Sequence, residues 1–361
     1  MTRNFYYGKD VLVTGHTGFK GSWLSIWLSK LGANVTGYAL EPPTEPSMFK
    51  ICKINEHINS IAGDVRNIDK FSNVIKNEKP EIVFHLASQP LVRQSYKNPV
   101  ETYETNIMGT VNLLNTIREC SHIKSVVVVT SDKCYKNTES LSGYKEGDRL
   151  GGYDPYSSSK ACVEIVTNAF RDSFYSPDKY DKHGVAIATA RAGNVIGGGD
   201  FALDRLVPDC IKAFIDNRKI LIRNPASVRP WQHVLESLCG YMVLAERLYL
   251  YGPEYGGAWN FGPYKDNEKT VEYVVNKLCS LWGNESGYEL DMNNNPHETN
   301  NLRLDSGKAM NLLGFKPKWN IDKVLEMVVS WSRYYLCKDT SQYEVSLSQI
   351  GEYEKCNEER I

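Results

Sequence analysis

Tyr156 and Lys160 stand four positions apart in residues 155–174, a segment with the pattern of a helix. Side chains at this spacing lie one turn apart on the same face of a helix. A lone phenol keeps its proton up to about pH 10, and a cation beside it favours the phenolate. The spacing therefore predicts a pair in which Lys160 lowers the pKa of Tyr156, so that the phenolate takes a proton from a hydroxyl group near neutral pH. Surface residues show the same spacing, so the prediction depends on what surrounds the pair.

A glycine-rich turn supplies the first support. A short apolar strand at residues 11–14 runs into a turn with glycines at every third position and then into a helical segment. Strand, glycine turn and helix are the context that a dinucleotide-binding site requires, because backbone N–H groups at the helix start face the pyrophosphate. A glycine turn without a ligand is the alternative. The predicted cofactor contacts here are Gly15, Thr17, Gly18, Phe19 and Gly21.

Three later strand ends complete the predicted cofactor site. Glu41 follows the second strand, where an acid binds the ribose 2′-hydroxyl of NAD, and no arginine stands there for the 2′-phosphate of NADP. Asp64 and Val65 are predicted to contact the adenine ring, although Asp64 is equally suited to cap the helix that starts near residue 67. Leu86 and Ala87, at the end of the fourth strand, are further predicted cofactor contacts.

The order of strands and helices predicts an α/β fold with a doubly wound parallel sheet. We expect residues 1–192 to form a dinucleotide-binding domain, with a return segment near residues 231–262, and residues 193–361 to form a smaller mixed lobe for the substrate. The almost wholly apolar strand at residues 126–131 ends in Ser131, Asp132 and Lys133, and ligands bind at the carboxyl ends of such strands. Residues 197–200 are expected to form a mobile loop, and the Glu-rich C-terminal end to be loosely ordered.

Composition excludes several classes of function. A formal net charge of −1 provides no overall basic field for nucleic acid or a membrane surface. No run approaches the roughly 18–20 apolar residues of a membrane span. Nine cysteines form no C-x-x-C pair, and the histidines show no metal-ligand spacing, so we expect reduced cytoplasmic thiols and no metal site.

Over roughly residues 9 to 320 the sequence resembles the extended branch of the short-chain dehydrogenase/reductases. Within that branch it resembles the nucleotide-sugar 4,6-dehydratases, especially those acting on CDP-glucose. The branch's epimerases usually have small or apolar residues after the serine, and the related dTDP-glucose dehydratases have Asp-Glu where this chain has Asp132 and Lys133. The segments that carry the resemblance are residues 15–21, 130–135, 191–200 and 229–236.

The resemblance implies an NAD-dependent hydro-lyase that converts CDP-glucose into its 4-keto-6-deoxy product, in a pathway to a bacterial surface polysaccharide. Tyr156 removes the proton of the sugar 4-hydroxyl, Lys160 supports it, Ser131 binds the C4 oxygen and Asp132 protonates the departing 6-hydroxyl. Lys133 is either the base that removes the C5 proton, which requires a pKa about 3 units below its usual 10.4, or a cation that stabilises the enolate.

Substrate contacts and assembly are also predicted. A guanidinium group matches phosphate oxygens, so Arg229 is the leading diphosphate ligand. Asn194, after the sixth strand, is the candidate for a second diphosphate contact, and the further substrate candidates are Arg205, Arg223, Asn224, Arg303, His297 and Glu298. The family pairs its helices corresponding to 99–119 and 155–174 across a two-fold axis, which implies a homodimer or a dimer of dimers.

The alternative functions are another NDP-hexose dehydratase, a nucleotide-sugar 4-epimerase and a non-catalytic dinucleotide-binding protein.

Overall fold

The computed structural model describes residues 4–140, 142–283, 287–291 and 302–356. Within these ranges, alternating apolar runs and amphipathic segments form strands and helices in turn. The strands are β1 (Asp10–Thr14), β2 (Asn34–Ala39), β3 (Asn59–Ala62), β4 (Ile82–His85), β5 (Ser125–Val129), β6 (Ala186–Arg191), β7 (Val195–Ile196), β8 (Ile220–Ile222), β9 (Val228–Pro230), β10 (Gln232–His233), β11 (Gly257–Asn260), β12 (Glu268–Thr270) and β13 (Tyr288–Leu290).

Seven of these strands form one parallel sheet in the order β11-β6-β5-β4-β1-β2-β3. The chain starts in the middle at β1, winds outward to β3, and then crosses to β4 and the other half. All five residues of β5 are buried, as expected for a parallel strand covered on both faces. The predicted doubly wound sheet is therefore confirmed, and its edge strand beside β6 is β11 from later in the chain.

The remaining strands form small two-stranded pairs outside the main sheet. The helices are α1 (Phe19–Lys30), α2 (Met48–Ile51), α3 (Ile68–Glu78), α4 (Val92–Lys97), α5 (Pro99–Tyr103), α6 (Gly109–Ile117), α7 (Pro155–Phe174), α8 (Tyr180–His183), α9 (Leu206–Ile215), α10 (Val234–Tyr251), α11 (Val271–Trp282), α12 (Gly307–Leu312), α13 (Ile321–Cys337) and α14 (Gln342–Lys355). No helix in the described ranges is both long and apolar enough to cross a bilayer.

The helix predicted over 99–119 contains a π-helical segment, Glu104–Met108, between α5 and α6. This segment lies where the buried Asn106 side chain donates to Ser159 of α7 at 2.8 Å and to the carbonyl of Gln89 at 3.2 Å. Such local widening commonly occurs at functional sites. Here it turns Asn106 toward the helix that bears Tyr156.

Two expectations about loose segments are wrong. Residues 197–199 are buried, and the Trp23 indole N–H donates to the carbonyl of Gly198 at 2.9 Å. Of the C-terminal end, the described residues form α14, whose Ile350 and Tyr353 are fully buried in the same core as α1 and α13, and residues 357–361 lie outside the described ranges. The buried face of α14 also includes the polar side chains of Gln342, Ser346 and Gln349, so the polar composition of this segment did not indicate that the helix packs on the core.

Candidate active site

One cavity of about 1180 Å³ lies at the carboxyl ends of the parallel strands. This is the edge at which open α/β sheets bind their ligands. The structure brings almost all of the predicted site residues to its wall. Those lining it are Gly15, Thr17, Gly18, Phe19, Gly21, Asp64, Val65, Leu86, Ala87, Ser131, Asp132, Lys133, Tyr156, Lys160, Asn194, Arg205, Arg223 and Arg229.

The glycine turn forms one end of the cavity. Gly15 adopts a φ of +74°, and a Cβ atom there would lie 2.8 Å from the backbone nitrogen of Ala87, so the turn tolerates only glycine at this point. Helix α1 begins at Phe19 with Gly18 as its N-cap and no side-chain cap. Its first N–H groups and its dipole are thus directed at the cavity, an arrangement that suits the pyrophosphate of a dinucleotide.

Asp64 lies at the far end of the predicted cofactor site. Its carboxylate accepts a hydrogen bond of 2.6 Å from Nη2 of Arg66, and although burial acts in the opposite direction, this pairing holds the pKa of Asp64 below its usual value. The side chain that caps α3 is that of Asn67, which accepts from the Lys70 N–H at 3.0 Å. The alternative role of Asp64 as the helix cap is therefore wrong.

The predicted catalytic residues meet in a hydrogen-bonded group. The hydroxyl of Ser131 donates to Oδ1 of Asp132 at 2.9 Å and also shares a side-chain hydrogen bond with Tyr156. The backbone N–H of Lys133 donates to the same hydroxyl oxygen at 3.2 Å. Ser131, Asp132 and Tyr156 are buried, whereas Lys133 is half-buried with its side chain at the cavity wall.

The electrostatics of Tyr156 differ from the sequence-based expectation. Burial raises the pKa of Tyr156 to about 12, against which the hydrogen bond with Ser131 acts. The Lys160 ammonium lies 5.9 Å from the centre of the tyrosine ring and donates to the carbonyl of Val129 at 3.5 Å. In the protein alone, desolvation outweighs the groups that act to lower this pKa, Ser131 and Arg205, so the expected fall of the phenol's pKa toward neutral pH is not found.

The predicted substrate residues divide into two groups. Arg205 pairs with Asp200 at 2.8 Å, and the side-chain amide of Asn194 donates to Oδ2 of Asp132 at 3.5 Å. Arg229 and Arg223 also reach the cavity wall. Arg303 does not line the cavity, because its guanidinium pairs with Glu268 at 3.1 Å. His297 and Glu298 lie outside the described residues.

Lys20 is a site residue that sequence reasoning missed. It lines the cavity, and its ammonium donates to the hydroxyl of Tyr241 at 3.3 Å. Burial, together with the positive charges of Arg205 and Lys160, lowers the pKa of Lys20 to about 7, while Asp132 acts in the opposite direction. The available signal was its position in the glycine turn, directly before Gly21. Among the described residues, no cluster of three or more His, Cys, Asp or Glu side chains could hold a metal ion.

Comparisons with known proteins agree with this geometry. The family model described as GDP-mannose 4,6 dehydratase matches residues 12–328. A CDP-glucose 4,6-dehydratase of Salmonella typhimurium is 54% identical over 336 residues, which cover 93% of this chain and 94% of the relative.

Solved structures share the fold. An epimerase from Methanothermobacter thermautotrophicus superposes with a TM-score of 0.79 at 24% identity, covering 93% of this chain and 95% of that one. A dTDP-glucose 4,6-dehydratase of Bacillus anthracis, solved with NAD, gives 0.74 at 22% identity, covering 94% of this chain and all of that one (100%). From the family model and the Salmonella relative it follows that the chain belongs to the GDP-mannose 4,6-dehydratase family.

Proposed function

We propose that this protein is an NAD-dependent hydro-lyase that converts CDP-glucose into CDP-4-dehydro-6-deoxyglucose and water. The observation that carries the proposal is the hydrogen-bonded group of Ser131, Asp132 and Tyr156 inside the cavity that the glycine turn also lines. Oxidation at C4 and loss of water from C6 require a proton acceptor, a hydroxyl that binds the carbonyl oxygen and a carboxylic acid. Tyr156, Ser131 and Asp132 provide these groups in that order. The name of the Salmonella relative supports CDP-glucose as the substrate.

The residues divide the proton transfers between them. NAD⁺, when bound, takes the hydride from C4 and returns it to C6. Tyr156 accepts the proton of the 4-hydroxyl, and Ser131 donates a hydrogen bond to the C4 oxygen. Asp132 then protonates the 6-hydroxyl as it departs. Because burial raises the pKa of Tyr156, the positive charges of Lys160 and the bound cofactor are needed to stabilise the phenolate.

The cavity residues fit NAD rather than NADP. The exposed N-terminus of α1 suits the pyrophosphate, while Asp64 and Val65 reach the end of the cavity where an adenine ring would lie. Glu41 lines the wall just beyond β2, and a carboxylate there would bind a ribose hydroxyl but repel a 2′-phosphate. Binding of NAD with little binding of NADP, measured by calorimetry, is the expected result.

We assign Lys133 as the base at C5. Its backbone is held by Ser131 and its side chain lies at the cavity wall next to the acid Asp132. Lys133→Ala is expected to bind NAD normally and to lose exchange of the C5 proton with deuterated water. Lys133→Arg separates the two roles, because arginine keeps the charge but cannot act as a base. Exchange that persists in the arginine variant would show that Lys133 acts only as a stabilising cation.

The diphosphate is expected to bind between Arg229, Arg205, Arg223 and Asn194, which line the cavity and follow residue 192 in the chain. We therefore divide the chain into a cofactor domain, residues 1–192 with the return segment at 231–262, and a nucleotide-sugar lobe, residues 193–361. The decisive experiment is incubation with CDP-, dTDP-, GDP- and UDP-glucose, followed by mass spectrometry. Loss of water from CDP-glucose supports the proposal, an isomer of unchanged mass indicates an epimerase, and no conversion indicates a binding protein.

A homodimer is also proposed. Helices α5 and α7, together with the π-helical segment between α5 and α6, expose the apolar side chains of Val100, Met108 and Ile165, which are 68%, 48% and 57% exposed. Apolar groups on adjacent helices suit a helix-to-helix interface between two copies. Light scattering should give twice the monomer mass, or four times for a dimer of dimers, and Ile165→Asp should give monomers.

The nine free cysteines fit a cytoplasmic enzyme of deoxysugar synthesis.

A further inference from the structure

A buried ion pair lies directly behind the catalytic residues. Glu164 follows Lys160 by one turn of α7, and its Oε2 atom is 2.7 Å from Nη2 of Arg191, the last residue of β6. Both side chains are only 3% exposed. A buried pair of charges is costly to form, because each group leaves water, so its presence next to an active site calls for an explanation.

The carboxylate of Glu164 connects three elements. Its Oε1 atom accepts a short hydrogen bond from the hydroxyl of Thr130, the residue directly before Ser131. Its Oε2 atom accepts from the hydroxyl of Thr189 in β6 at 2.6 Å as well as from Arg191. One side chain of α7 thus fixes the carboxyl ends of β5 and β6.

Arg191 extends the connection to the other side of the catalytic turn. Its Nη1 donates to the hydroxyl of Tyr135 at 2.6 Å, and that hydroxyl donates to Oδ1 of Asn260 in β11 at 2.8 Å. Thr130 and Tyr135 flank residues 131–134. The segment that contains Ser131, Asp132 and Lys133 is therefore held at both ends by the Glu164–Arg191 pair.

Lys160 occupies the same buried region. Tyr156 is its aromatic neighbour, and Glu164 on α7 and Cys134 in the turn after β5 act to raise the pKa of its ammonium. The charge of Lys160 in turn acts on Lys20 of α1 and His85 of β4. Glu164 is the carboxylate among them.

We propose that Glu164 is a positioning residue, which fixes the turn of Ser131 to Lys133 against α7 and provides the counter-charge for the Lys160 ammonium. The inference rests on the proposed function only in that Lys160 must act as a cation beside Tyr156. Burial lowers the pKa of Lys160 to about 8, and Glu164 acts to raise it. Without the carboxylate, the ammonium loses its proton at a lower pH, and the phenolate of Tyr156 loses its support there.

The test separates charge from structure. In Glu164→Gln, we expect the pKa of Lys160 to fall by about 1 unit. This pKa can be followed by ¹³C NMR of labelled lysine, with the signal assigned by its loss in Lys160→Arg. The alkaline limb of the pH profile of kcat should shift to lower pH by the same amount. Thr189→Val is the matched control, because it removes a hydrogen bond to Glu164 but no charge, and it should leave both quantities unchanged. Glu164→Asp should keep the limb in place while kcat falls about 10-fold, since the shorter side chain misplaces the turn.

If Glu164→Gln does not fold with Arg191 left unpaired, the double variant Glu164→Gln/Arg191→Met removes both charges, and the pKa of Lys160 should still fall, but by less, because a positive charge is lost as well. An unchanged lysine titration in the variant that folds overturns the proposal, as does an equal shift in Thr189→Val. The NMR titration requires no turnover, so it gives an answer even if CDP-glucose proves not to be the substrate.

Discussion

Gly193 packs directly against the carboxylate of Asp132, so that a Cβ atom on residue 193 would lie only 1.9 Å from Oδ2. Gly193 follows β6 by two residues, and the neighbouring Asn194 donates its amide to the same carboxylate oxygen. Asp132, the acid of the proposed reaction, is thus held between the neighbouring Ser131 and the backbone that follows β6. Any side chain at position 193 must displace it.

Gly193→Ala is expected to reduce kcat by about 100-fold, because a displacement of about 1 Å in a catalytic group is enough for such a loss. NAD binding should persist, since the atoms that a Cβ at residue 193 would meet belong to Asp132 and not to the glycine turn. Steady-state kinetics and calorimetry on the same preparation provide the measurement. Gly147→Ala is the control, because no atom lies within 4 Å of a Cβ atom built there. Full activity of Gly193→Ala would show that Asp132 can move without consequence.

Ser131→Ala should lower kcat by about 100-fold, the usual effect of losing one hydrogen-bond donor to a developing oxyanion. It should also move the acidic limb of the pH profile upward. Tyr156 must be deprotonated to accept a proton, and its side-chain interaction with Ser131 lowers its pKa, so removing the Ser131 hydroxyl raises the pH at which activity appears. Ser131→Thr keeps the hydroxyl and should retain the limb. An unshifted limb in the alanine variant would contradict the assigned role.

His85 makes the fold sensitive to acid. Burial, reinforced by Lys160, lowers the pKa of His85 to about 3, and the ring shares hydrogen bonds with Thr14 at 2.8 Å and Thr110 at 3.3 Å. The unfolded chain binds a proton near pH 6.5 but the folded chain does not, so this contribution to stability is present above pH 6.5 and is lost as the pH falls.

In the parent protein, the free energy of unfolding is expected to fall between pH 7.5 and pH 5 as His85 loses its contribution. In His85→Gln this fall should be smaller by about 2 kcal/mol. Urea denaturation at the two pH values measures this difference. Substitution of the exposed His57 by glutamine is the control and should leave the loss as it is in the parent protein. Equal acid sensitivity of His85→Gln and the parent would exclude His85 as the cause.

Tyr353 fastens the C-terminal helix to the core. Its hydroxyl donates to Oε2 of the buried Glu236 at 2.6 Å. Tyr353→Phe leaves that oxygen without this donor and should lower the free energy of unfolding by about 1–3 kcal/mol. Tyr334→Phe on α13, where the ring is 47% exposed, should change it by less than about 0.5 kcal/mol. Equal effects of the two substitutions would mean that α14 adds little to stability.

The local signals in the sequence were sufficient to predict the parallel sheet and to locate most of the residues that line the candidate site. Helix α7 has the predicted bounds, because its apolar periodicity and Asp154 and Pro155 at its start are local features. The glycine turn and the strand-end residues Ser131 to Lys133 could likewise be located, since the carboxyl edge of a parallel sheet follows from the order of strands.

What the sequence alone determined is which residues stand at that edge; the tertiary structure decided how charged they are and what holds them. The pKa of Tyr156 depends on how much water surrounds it, and the burial of Lys20 and the pairing of Glu164 with Arg191 depend on elements distant in the chain. The buried side of helix α14, which mixes polar and apolar residues, is likewise set by the elements it packs against. Desolvation and long-range contacts are properties of the packed molecule, and no spacing along the chain encodes them.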